Sequence, residues 1–159
     1  MTIDEIIDFV DGFDGTLSFR PAPGDGSPEI SWGDTFFFYS PDGVMPEATQ
    51  PFATIVTKNC PGDESSRLDR PDTFRVNIAA GKEEFIDWTG HAPREPAADA
   101  DPGITDAVIA HPVYGSVAWL AVVNPGRRTD EAVRRLLRAA HHRARARHER
   151  RTGGVDGSA

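Results

Sequence analysis

The chain has 159 residues, 38% of them apolar and 26% charged, a size that suits one domain and leaves little room for two. A lone cysteine, Cys60, excludes a disulfide framework and a cysteine-rich zinc site. The formal net charge of -8 is unevenly spread: residues 1–125 hold seven Lys and Arg against 21 Asp and Glu, residues 126–159 ten Arg against four acids. The acidic body repels phosphate backbones, which leaves only the C-terminal segment for nucleic acid and makes it an unfavoured partner.

In chain order, Thr2 and Glu5 form a capping box, and Ile3, Ile6, Ile7 and Val10 follow at helical spacing, predicting a short amphipathic helix stopped at Gly12. A strand is expected around Thr16–Arg20. Glu29–Trp32 and Thr35–Tyr39 read as two strands of a hairpin joined by Gly33-Asp34. Phe52–Lys58 is a further strand, β-branched and apolar. Asp63 to Leu68 is expected to form one helical turn. Thr73–Ala79 alternates, with Phe74, Val76 and Ile78 facing one way and Thr73, Arg75 and Asn77 the other. Gly81–Trp88 predicts a short helix ended by Gly90, and His91–Gly103 a proline-rich loop, the least ordered interior stretch. Ile104–Ala110 fits helix or strand. Val117–Asn124 predicts a buried strand; its apolar run, Val117–Val123, is seven residues, against the roughly 20 that span a bilayer. The last element is a helix from Thr129, its cap, to about Arg147. Asp130 and Glu131 suit its dipole, and Val133, Leu136, Leu137, Ala140 and Ala144 lie along one face. Its last turns are expected to project beyond the core, with Arg143, Arg145, Arg147, Arg150 and Arg151 in water. The fold class is α+β: one domain over residues 1–151, a mainly antiparallel sheet with the N-terminal and C-terminal helices packed on one face, and a disordered tail over 152–159. Asp4, Glu5 and Asp8 ahead of any basic residue speak against a signal peptide, and a cytoplasmic, soluble protein is expected.

The stretches Pro51–Lys58, Arg70-Pro71 with Phe74–Ile78, and His111-Pro112-Val113-Tyr114-Gly115 with Trp119 and Asn124-Pro125 resemble a family catalogued as domain of unknown function 6194. The likeness runs from about Ile3 to Arg147, and the His-Pro-Val-Tyr-Gly block is its most specific part. It implies a bacterial protein of a GC-rich genome, and the family has no assigned activity to carry over. More distantly, a His-Pro, a Trp-containing strand and a terminal helix look like the YjbR-like group, which implies a double-wing α+β fold and, for some members, DNA binding.

No catalytic signature stands out, and no catalytic residue, cofactor or metal site is assigned. His111, Tyr114 and Trp119 could line a pocket for a planar or anionic ligand; equally, Pro112 and Gly115 shape a turn in which Tyr114 packs and His111 bonds the backbone. Arg75 and Asn77 share a strand face that Lys58 could reach, a grouping suited to a carboxylate or phosphate or to a solvated salt bridge. Cys60 has no adjacent base and reads as incidental. His141, His142 and His148 lack metal-ligand spacing. The arginines Arg134, Arg135, Arg138 and Arg145 suit a nucleic acid or a solvated face. The leading function is therefore a non-enzymatic binding module for a small molecule or a protein, a second copy of the chain included. A small enzyme or ligand sensor built on His111, Tyr114 and Arg75 is the alternative, and DNA binding by the terminal helix the outsider.

Overall fold

The computed structural model of the protein describes residues 1–95 and 100–156, with side chains as far as Thr152. Helix α1 covers Ile3–Asp11, and its capping box is formed: the Thr2 hydroxyl accepts from the Glu5 amide at 3.1 Å and the Glu5 carboxylate from the Thr2 amide at 3.3 Å. Strands β1 (Thr16–Phe19), β2 (Thr35–Tyr39), β3 (Ala53–Val56) and β4 (Arg75–Ile78) follow, then α2 (Lys82–Thr89), β5 (Val108–Ala110), β6 (Leu120–Val123) and α3 (Asp130–Asp156). The six strands form one sheet in the order β1-β2-β3-β4-β6-β5, and every neighbouring pair is antiparallel.

The two faces of this sheet are buried by different means. Phe37, Ala53, Ile55, Val76, Ile78, Leu120 and Val122 share one face and close over Ile6, Ile7 and Val10 of α1 and Val133, Leu136, Leu137 and Ala140 of α3. Each large aliphatic side chain fully removed from water there contributes about 1.5–3 kcal/mol. The opposite face carries Phe38, Thr54, Arg75, Asn77, Ile109, Ala121 and Val123, all buried. No helix is needed to cover it. The 57–74 connection folds back over it, held by the Asn59 side chain on the Leu68 amide at 2.9 Å and by Arg70 on the Gly103 carbonyl at 2.9 Å. Among the described residues no helix is long and apolar enough to cross a membrane.

Four expectations need correction. Glu29–Ser31 is a 3-10 turn, not the first strand of a hairpin, and Asp34 is no turn residue: its buried carboxylate accepts from the Thr57 amide and hydroxyl at 2.9 and 3.0 Å. Val117 does not start the strand before Asn124. It lies in a second 3-10 turn, Gly115–Val117, 61% exposed, and Ala118 then takes a left-handed φ of 68° to launch β6. Thr129 does not cap α3 by itself. Asp106, from the loop before β5, accepts from the amides of Gly126, Arg128 and Thr129 and from the Thr129 hydroxyl. Residues 63–68 make turns rather than a helical turn, the Arg67 amide bonding back to the Glu64 carbonyl. Helix α3 runs to Asp156, past the point where its apolar stripe ends. Residues 157–159 of the expected tail and 96–99 of the expected loop lie outside the described residues.

Candidate functional site

Strand alternation sends Arg75 and Asn77 to the loop-covered face, where Arg75 is only 1% and Asn77 3% exposed. A buried guanidinium needs every donor occupied. Here Nε donates to Asn77 Oδ1 at 2.7 Å, Nη1 to Asp63 Oδ1 and Ser66 Oγ at 3.0 Å each, and Nη2 to Asp63 Oδ2 at 2.5 Å. Asn77 Nδ2 passes the chain on to Thr54 Oγ1 at 3.0 Å. An Asn in mid-strand, unfavoured by propensity, is thus the relay that orients Arg75. The bidentate Asp63 carboxylate staples the 57–74 connection onto the sheet.

His111 closes the far side of the group at 4% exposure, its Nε2 3.1 Å from Arg75 Nη2. Its Nδ1 accepts from the amides of Val113 and Tyr114 at 3.0 and 2.9 Å, which assigns the proton to Nε2. The Nε2–Nη2 approach is therefore a contact between two donors and holds no bond. Burial and the Arg75 charge push the His111 pKa down to about 4, with Asp63 opposing, so the ring is neutral at neutral pH. Burial would raise the Asp63 carboxyl, but the Arg75 hydrogen bonds and charge outweigh it and hold it below the ordinary carboxylate range.

Of the six residues singled out in sequence, Arg75, Asn77 and His111 meet. Tyr114 lies against the His111 ring, centroids 5.0 Å apart, and Trp119 against Tyr114 at 6.5 Å. Lys58 does not join them. Its Nζ donates to the Trp32 carbonyl at 2.5 Å and Asp34 at 3.3 Å, because the buried Asp34 carboxylate needs a cation and a second positive charge beside Arg75 would be repelled. Burial, with Asp34 and Asp63 nearby, raises the Cys60 thiol pKa, which keeps it protonated and a poor nucleophile. Among the described residues no three His, Cys, Asp or Glu side chains gather as metal ligands would.

Four of the five Arg75 N–H donors are taken up by Asn77, Asp63 and Ser66 and the fifth faces the buried His111 ring, so the group offers no open bond to a ligand. Open space lies elsewhere, on the other side of the Val113–Trp119 turn. A cleft of about 280 Å3 is walled by Val117 and Trp119, by Phe52 and Tyr39, and by α3. Small Ala140 and Ala144 leave the room, while Arg143, Arg147 and Arg151 rise along one helix face at i, i+4 and i+8. Arg143 is laid across Gly81, where a Cβ would come within 2.6 Å of its Nε, and donates Nη1 to the Ala79 carbonyl at 3.0 Å. Burial there, with Arg147 and Arg150 close by, lowers its pKa without discharging it. Among the described residues no carboxylate lies within 4.0 Å of Arg143, Arg147 or Arg151. Of the other arginines of α3, Arg134 pairs with Asp130, Arg135 with Glu84 and Arg145 with Glu149, and Arg134 and Arg138 lie over the Phe9 ring; Arg150, like the three of the cleft, has no carboxylate within 4.0 Å among the described residues. A larger hollow of about 660 Å3 near Arg20 and Arg70 also carries Asp4 and Asp72, whose carboxylates offset the two guanidinium charges.

The cleft joins Tyr39, the 49–52 segment, Ala79, Val117, Trp119 and the 140–151 stretch of α3. The spacing of Arg143, Arg147 and Arg151 is visible in sequence; that they meet Trp119 is not. A family model described as a family of unknown function, DUF6194, matches residues 1–153. No curated protein and no solved structure matches the chain.

Proposed function

The chain belongs to the family of unknown function DUF6194, and from that premise we propose that it is a binding module, without catalysis of its own, whose site is the cleft between α3 and the Val117–Trp119 turn. Its ligand is an anion with an apolar part. One observation carries this reading: three arginines without carboxylate partners among the described residues line a cleft that also holds Trp119 and Phe52, on a protein whose body is acidic. Such a set departs from the charge neutralisation found at Arg134, Arg135 and Arg145 of the same helix. Guanidinium groups beside low-dielectric walls attract anions strongly. The left-handed Ala118 supports the same reading, because a non-glycine residue in that region costs about 1–3 kcal/mol and such strain collects at functional sites.

Enzymatic use of His111, Tyr114 and Arg75 has less support, since Arg75 is bonded to Asn77, Asp63 and Ser66 and His111 Nδ1 to two backbone amides. Thermal denaturation with phenyl phosphate is the test. At a hundredfold excess over Kd it adds about 2.7 kcal/mol, a rise in Tm of about 5–11 °C at this chain length. Arg143→Gln or Ala144→Leu removes most of that rise. A shift that survives both substitutions sinks the reading.

A further inference from the structure

Resting on the cleft reading above, the lining points to one ligand class: we infer that the site takes a free nucleoside phosphate, its base between the aromatic walls and its phosphates along the arginines. Two features of the lining narrow the choice. The apolar part of the cleft is largely aromatic: Trp119 and Tyr39 are its partly exposed large side chains, and Phe52, 3% exposed, lies behind them. Flat π-surfaces take a planar ring by stacking and discriminate little among bases, whereas a flexible alkyl chain gains nothing from that geometry. The cationic part is a ladder rather than a point. Arg143 to Arg151 covers about 12 Å of helix at 1.5 Å per residue, in two steps of one helical turn. A single carboxylate or phosphate engages one rung and leaves two unused; a di- or triphosphate lies along the ladder. Gln50 and Thr49 on the rim supply neutral donors and acceptors for ribose or base edges.

The volume sets an upper bound. About 280 Å3 sits just under the range of drug-sized sites, so it holds a ring and its first phosphate while later phosphates run outward along exposed Arg147 and Arg151. The same chemistry occurs at the end of a nucleic-acid strand. A strand reaching beyond the cleft would meet a body that is acidic overall, which disfavours the strand and leaves the free nucleotide.

Calorimetric titration at low salt with adenosine, AMP, ADP, ATP, pyrophosphate, phenyl phosphate and a short single-stranded oligonucleotide tests this on the whole chain. Affinity should rise about fivefold per phosphate from AMP to ATP. Adenosine should show no binding at millimolar concentration, and pyrophosphate should bind at least tenfold more weakly than ADP. Arg151→Gln should weaken ATP about tenfold and AMP less than twofold, and Trp119→Leu should bring ADP down to the pyrophosphate level. Should Trp119→Leu fail to fold, Ala144→Leu, which narrows the same space from α3, must lower ADP affinity at least tenfold. Nucleotides that bind no tighter than phenyl phosphate, with no gain per phosphate, overturn the nucleotide assignment and leave the anion cleft standing. An oligonucleotide that binds tighter than ATP overturns it in favour of a strand. Absence of binding by phenyl phosphate and every nucleotide overturns both.

Discussion

Arg75 carries a full charge into the protein, and its worth depends on Asp63. Removing one partner of a buried pair costs about 3–5 kcal/mol, because the other is left charged and dry. Asp63 keeps 20% of its side-chain surface in water, so Asp63→Ala should cost about 3 kcal/mol, the lower end of that range. Urea unfolding measures it, and a loss under 1 kcal/mol would mean that the 57–74 connection is held by other contacts. His111 gives the same group a pH dependence. Its folded pKa, about 4, is below the unfolded value of 6.5, so the unfolded chain takes up a proton first. Stability should therefore fall as pH drops from above 6.5 towards 4, by about 3 kcal/mol in all. Asn at position 111 keeps an acceptor for the Val113 and Tyr114 amides and cannot titrate. His111→Asn should flatten the profile between pH 7 and pH 4.5, and an unchanged slope would assign the loss to another group.

At the scale of the element, α3 depends on a residue outside it. Asp106, in a left-handed conformation at φ 55°, bonds three amides and a hydroxyl at the helix start. Burial opposes its ionisation, yet the Thr129 hydroxyl and the three amides keep its pKa below normal. Capping losses run about 0.5–2 kcal/mol. Asp106→Ala should reach the top of that range, since one side chain serves several donors and alanine adds strain at this φ. Thr129→Ala should cost less, because Thr129 is a donor to Asp106 rather than the cap. Equal losses in chemical denaturation would reverse that assignment. Gly81, at φ 96°, is a comparable hinge for the cleft: Gly81→Ala must move Arg143 as well as strain the backbone.

For the molecule as a whole, the balance of charge leads us to expect weak binding of duplex DNA. The arginines that a DNA surface would use, Arg134, Arg135 and Arg138, are held by Asp130, Glu84 and Phe9. Binding should be of the non-specific kind, with Kd of about 10 µM or weaker at near-physiological salt and a steep salt dependence. A titration of labelled duplex checks it. Sub-micromolar affinity that disappears on replacing those three arginines by alanine would establish a nucleic-acid surface on α3.

The sequence alone determined the α+β class, the capping box at Thr2, the apolar face of α3, and the shared face of Arg75 and Asn77. Each of these follows from local periodicity, which operates over a few residues and needs no partner. It also read Glu29–Trp32 as a strand, because a short polar-apolar pattern before a glycine fits an extended segment as well as a 3-10 turn. Tertiary structure decided the rest. Asp63 and Arg75 are 12 residues apart, His111 and Arg75 36, Asp106 and Thr129 23, and no periodic signal joins residues across such separations. The cleft is the extreme case. Trp119 and the Arg143–Arg151 ladder are ordinary features of a strand end and a helix surface, and they line one cleft only because α3 packs across the sheet and brings its arginines towards Trp119.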